Sequence, residues 1–176
     1  MKRKDIKLTI KEFFFINPTA RLRVREIERS ANCPLPSVIR YTKELESEGI
    51  LKSSTLSGVR LYSADRSSDN FIMQKRLHNL ESLHDSGMVR HLITELSNPV
   101  IVLFGSYSRG EDTESSDIDI YIESAKNPEL KEFEKKLKRR IQLFMHKNIH
   151  EIGNKELANN IVNGITLNGF IEVFPG

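Results

Sequence analysis

The sequence predicts an α/β chain of the α+β kind: a helical N-terminal module with a β-hairpin, then a module built on a small mixed sheet. Three observations predict it. Charge is split, with 14 Lys/Arg against 8 Asp/Glu in residues 1–66 but 10 against 12 in residues 97–176. Apolar residues recur at helical spacing through much of the first half and again over 71–96, but form an unbroken run over 100–104 and alternate over 117–122. The run 100–104 then breaks into Gly105-Ser106, the way a buried strand opens into a tight turn.

Composition bounds the class. The chain has 176 residues, 38% apolar and 29% charged, with a net charge of +3, which is ordinary for a globular protein. It lacks an apolar run of about 18 residues, so no membrane span is expected, and the basic start reaches no signal-like stretch before Lys11 and Glu12; a cytoplasmic protein is expected. The single cysteine, Cys33, excludes an internal disulfide and a cysteine-only zinc site. The basic N-terminal module suits a polyanion such as DNA, and the acidic C-terminal module suits a metal site.

Within residues 1–66, Ile6, Leu8, Ile10 and Phe13 to Phe15 make a first helix that Asn17-Pro18 stops. A short extended piece at 22–24 leads into a helix over 25–31, with Ile27 inward. Asn32 to Pro36 makes the turn. A third helix over 36–48 places Val38, Tyr41 and Leu45 on one face and stops at Gly49. Two strands, 50–53 and 59–63, are joined by a loop over 54–58.

Residues 67–96 read as a helical connector, with Leu77, Leu80 and Leu83 and then Met88, Leu92 and Leu96 at helical spacing and Gly87 breaking the helix between. Such a stripe is core or the seam of a homodimer. His84 and His91 are seven apart, not four, so they are read as solvent histidines and not as metal ligands.

In residues 97–176 the chemistry concentrates. On the strand after the acidic loop, Asp117 and Asp119 share one face while Ile118, Ile120 and Ile122 take the other. Two neighbouring carboxylates suit a hard cation that keeps waters and shares substrate phosphates, Mg²⁺ or Mn²⁺. In the turn, small residues let backbone N–H groups approach phosphate oxygens, the Ser106 hydroxyl can donate to one, and Arg109 can neutralise developing charge. Glu111, Asp112 and Glu114 crowd toward the same end, which calls for a cation or a separating loop. A helix over 128–140 turns Leu130, Phe133 and Leu137 inward and Lys135, Lys136, Lys138, Arg139 and Arg140 largely outward, as a solvated or phosphate-holding face. A strand over 141–146, a helix over 155–164 and a closing extended segment over 165–174 complete the module.

Gly105-Ser106, separated by ten residues from Asp117-Ile118-Asp119, resembles the signature of the DNA polymerase beta-like nucleotidyltransferases, in their minimal prokaryotic branch. The resemblance implies that Gly105, Ser106, Arg109 and Ser116 hold a nucleoside triphosphate and that Asp117 and Asp119 are the catalytic, metal-holding pair. It implies transfer of a nucleoside monophosphate to a hydroxyl, commonly on a partner protein such as a HEPN-type toxin. That family usually has a third acid on the next strand, which by register falls here on Gln142; glutamine cannot act as a base at neutral pH. Glu123 and Glu151 are the other acids in reach of that role. Residues 36–50 and the hairpin after them are similar to a winged helix-turn-helix domain, with Thr42 where that pattern carries a larger apolar residue. By this likeness Ser37, Arg40 and Lys43 face a DNA major groove and Arg60 sits on the wing. Two functions stay open: a transferase, or a DNA-binding regulator whose transferase-like fold binds nucleotide and turns over weakly or not at all.

Overall fold

The computed structural model describes residues 5–174 and divides into two compact units, Met1–His78 and Asn79–Gly176. The division falls within the segment 67–96, inside one long helix. Among the described residues no helix is long and apolar enough to cross a membrane.

In the first unit the order is α1 (Ile6–Ile16), β1 (Arg21–Leu22), α2 (Val24–Ala31), α3 (Leu35–Ser47), β2 (Leu51–Leu56), β3 (Val59–Ala64) and the first part of α4 (Asp69–Ser86). The Asp5 carboxylate accepts from the Leu8 N–H (3.1 Å) and so caps α1. Asn32, in the left-handed region (φ 50°), closes α2 and turns the chain into α3. Thr42 is wholly buried, and its hydroxyl donates to the Val38 carbonyl (2.8 Å), so the polar residue in α3 is satisfied within the helix. β1, β3 and β2 form an antiparallel sheet in that order. The expected loop over 54–58 is shorter than the sequence suggested. Leu56 pairs with Val59, leaving Ser57-Gly58 as a two-residue turn with both residues at positive φ (49° and 75°). That geometry matches the twist of paired strands, so β2 runs further than 50–53.

The core of this unit is built from Ile10, Phe14, Ile27, Val38, Leu45, Ile50, Tyr62 and Phe71. Lys75 on α4 is also buried, 1% exposed, and its ammonium donates to the Phe15 carbonyl (2.8 Å) at the C-terminal end of α1, where the helix dipole favours a cation.

The second unit holds the end of α4, α5 (Met88–Glu95), β4 (Ile101–Phe104), α6 (Gly105–Arg109), β5 (Ile118–Glu123), α7 (Lys131–Leu137), β6 (Ile141–His146), a 3-10 turn (Ile149–Glu151), α8 (Lys155–Val162) and β7 (Ile165–Asn168). The sheet order is β6-β5-β4-β7, with β5 and β6 parallel and the other pairs antiparallel. Both faces are covered. Leu83, Met88, Leu92, Ile101, Leu103, Ile118 and Ile120 pack on one, and Val102, Phe104, Tyr121, Ile149 and Ile161 on the other. Burial on both faces is why β4 reads as an unbroken apolar run.

Two sequence expectations change here. The helix over 128–140 is only Lys131–Leu137, ended by Lys138 in the left-handed region (φ 52°). Past that cap Arg139 turns inward: its side chain is 9% exposed, not outward as the run suggested. The closing segment is a strand only over Ile165–Asn168.

Candidate active site

β4 delivers the site. Its last residue, Phe104, pairs with Asp119 on β5, so the chain leaves β4 directly over that carboxylate. Gly105 follows at φ 74° and opens the short helix α6, where a turn was expected. A Cβ on Gly105 would lie 2.2 Å from Asp119 Oδ2 and 3.1 Å from its Cγ. Glycine is therefore required twice over, for the backbone conformation and for the close approach of the acid. Gly105→Ala is expected to lower stability by about 1–3 kcal/mol and to displace the Asp119 carboxylate. Urea denaturation checks the first and loss of nucleotide binding the second.

Asp119 is half-buried, and its proton is held to higher pH than in an ordinary carboxylate. Burial is the largest cause and the Asp117 charge adds to it, while Arg109 opposes both. The two acids thus stand close enough to repel. That is the arrangement a divalent cation relieves, and a donor set of two carboxylates is of the chemical kind that suits Mg²⁺ or Mn²⁺. Among the described residues no group of three or more His, Cys, Asp or Glu could hold a metal ion.

Gln142, not an acid, stands beside Asp119 on the neighbouring strand. β5 and β6 run in parallel with Asp119 beside Gln142, so an exposed amide occupies the place next to the acid pair. Glu123 pairs with His146 four residues further along the strands and accepts from the Tyr121 hydroxyl (3.0 Å). Glu151 accepts from the Lys147 N–H (2.9 Å). Both are engaged elsewhere.

The other candidates divide. The hydroxyl of Ser106, at the start of α6, has no hydrogen-bond partner among the described residues, whereas that of Ser108 is buried and donates to the Gly105 carbonyl (2.8 Å). Arg109 pairs with Glu111 (2.7 Å) while remaining half-exposed. The Ser116 hydroxyl accepts from the Thr113 N–H (2.9 Å) and braces the acidic loop.

Sequence reasoning missed what holds that loop down. Asp112 is 1% exposed; it accepts from Asn79 Nδ2 (2.8 Å) and faces Arg139 Nη2 at 3.9 Å. Asn79 Nδ2 also donates to the Tyr107 carbonyl (2.9 Å). The crowding of Glu111, Asp112 and Glu114 is thus relieved in part by protein cations, and the case for a metal rests on Asp117 and Asp119 alone.

In the first unit, Arg40 and Lys43 are exposed on α3 and Ser37 is partly so. Arg40 lies over the Tyr41 ring (4.3 Å), bonds its hydroxyl, and reaches Glu44 at 3.6 Å. Arg60 on β3 pairs with Glu46 (2.7 Å).

A protein of Methanocaldococcus jannaschii, provisionally named a protein adenylyltransferase, is 46% identical over 59 residues, covering 28% of this chain. The chain spans 59% of that relative's length. No solved structure matches. Residues 89–163 match the nucleotidyltransferase domain family, and Gly105, Ser106, Asp117, Asp119 and Gln142 all fall within the matched segment.

Proposed function

We propose that the second unit is a metal-dependent nucleotidyltransferase that moves a nucleoside monophosphate from a nucleoside triphosphate to a hydroxyl on a partner protein. The observation that carries this reading is the seating of the Asp119 carboxylate against Gly105, with Asp117 beside it and Ser106 opening the next helix. Asp117 and Asp119 hold Mg²⁺ or Mn²⁺, whose charge balances that of the triphosphate. Gly105 and Ser106 cradle the phosphates, Arg109 supplies a half-exposed cation, and Ser116 keeps the acidic loop in place. The acceptor oxygen bonds to the α-phosphorus, the bond to the bridging oxygen breaks, and pyrophosphate leaves. With Gln142 beside Asp119, the hydroxyl proton passes to water.

The protein acceptor is suggested by the printed name of the archaeal relative, and a small helical toxin-like protein fits the minimal branch of the family. Incubation with each labelled triphosphate, Mg²⁺ or Mn²⁺ and candidate acceptors tests the reading. Label on an acceptor, lost in Asp117→Asn, supports it; no label with any triphosphate, although nucleotide binds, overturns it in favour of a regulator with a weak or inactive transferase domain. Gln142 is the observation that favours this second reading.

We propose further that the first unit is a winged helix that binds DNA, with Ser37, Arg40 and Lys43 toward the major groove and Arg60 on the wing. Arg40→Ala combined with Lys43→Ala is expected to weaken a mobility shift by roughly thirtyfold, from two lost contacts of about 1 kcal/mol each. Asp119→Asn should leave the shift unchanged. A shift insensitive to both α3 changes sinks the assignment.

A further inference from the structure

A run of cations precedes β6, the strand that pairs with the acid-bearing β5. Lys131, Glu134, Lys135, Lys138, Arg139 and Arg140 line an open groove of about 430 Å³. Two of the charges are spent internally: Arg139 faces buried Asp112, and the Glu134 carboxylate accepts from the Ile141 N–H (2.9 Å). Lys131 reaches Glu129 only at 4.0 Å. Lys135, Lys138 and Arg140 are exposed and have no carboxylate partner among the described residues. The left-handed conformation of Lys138 sorts these cations, sending Arg139 inward and leaving its two neighbours in the groove.

The groove is joined to the site by the sheet. The Ile118 N–H donates to the Arg140 carbonyl (2.8 Å), and Ile118 pairs with Ile141. Asp117 and Arg140 are therefore the residues immediately before two strands that begin side by side, so one lining residue of the groove, Arg140, is the backbone neighbour of the acid pair's strand. No aromatic side chain lines it, so it has none of the stacking surfaces on which single-stranded nucleic acid depends. Cations without carboxylate partners and without stacking surfaces complement an acidic peptide, whose affinity needs charge alone, better than single-stranded nucleic acid.

We propose that this groove docks an acidic segment of the protein acceptor and so brings the acceptor hydroxyl to Asp117 and Asp119. The proposal rests on the protein-acceptor reading above, but its test does not use transfer. Fluorescence anisotropy of a labelled Glu-rich peptide carrying one tyrosine is followed on the full chain, with an oligonucleotide of matched charge in parallel. Replacing Lys135 by Ala, Lys138 by Asn and Arg140 by Ala together is expected to weaken peptide binding by about tenfold, from three exposed charges. Added salt should weaken the parent in the same direction. A control removing equal charge from the same unit, Lys126→Ala with Lys147→Ala and Lys155→Ala, should bind as the parent does. Equal loss in both triple variants, absence of peptide binding, or a groove-dependent preference for the oligonucleotide overturns the proposal. Magnesium–nucleotide binding, measured separately on each variant, should be unchanged by the groove substitutions. Peptide docking with no transfer to any acceptor overturns the transferase reading alone.

Discussion

Asp119→Asn is expected to cut nucleotidyl transfer by roughly 10²- to 10³-fold, the scale on which loss of one charge-stabilising group acts. The loss should appear in kcat, because Asp117 and the Gly105-Ser106 turn still receive the triphosphate. Stability should move the other way. Burial and the Asp117 charge raise the carboxyl's affinity for its proton, against the pull of Arg109. A group so raised favours the folded state in acid and loses that contribution as pH climbs from the ordinary carboxylate range through its folded value. Without metal at neutral pH, the ionised Asp119 therefore works against folding. Asp119→Asn should melt at or above the parent there, with the difference closing in acid, and should keep part of the stabilisation that Mg²⁺–nucleotide gives the parent. A variant melting well below the parent at neutral pH would mean that Asp119 is structural and the activity loss indirect.

Gln142→Glu is expected to raise turnover by roughly 10²-fold, the lower end of what a positioned general base supplies. The register carries the argument. Gln142 stands beside Asp119 on the parallel neighbour strand, exposed and free of the packing that holds Phe144 against Phe104 (5.1 Å between ring centroids). A carboxylate there meets the acceptor hydroxyl and steepens the fall of the rate in acid that Asp119 already causes. It also adds a third negative charge, so activity should depend more steeply on Mg²⁺. Gln142→Ala, which supplies no base, should leave turnover near the parent's. Equal rates for Glu, Gln and Ala would remove this position from the proton transfer.

What could be read from the sequence was local. The buried run of β4, the break at Gly105 and the alternation around Asp119 each declare themselves within a few residues, through strand period and turn chemistry. Even the placement of Gln142 beside Asp119 follows once two strands are taken as parallel neighbours. What could not be read depends on distant partners. Asn79 and Asp112 are 33 residues apart in sequence, and nothing near either announces the contact. In the run from Lys135 to Arg140, composition does not say which cation turns inward; the left-handed cap at Lys138 decides it. The approach of the Asp119 carboxylate to Gly105 is likewise a product of strand pairing, since a Gly-Ser turn alone is compatible with many surroundings.

The pairing of β7 with β4 has a consequence for synthesis. The first strand of the second unit has as a sheet neighbour its last one, and Asn168 Nδ2 donates to the Pro99 carbonyl (2.6 Å), 69 residues earlier. The hairpin of the first unit, by contrast, closes over two residues and needs no distant partner. On a ribosome the first unit can therefore finish while β4 still presents an open edge beside the future site. Chains released or cut before Ile165 would keep that edge unpaired and would be captured by one another through β4 before any nucleotide could select the folded form.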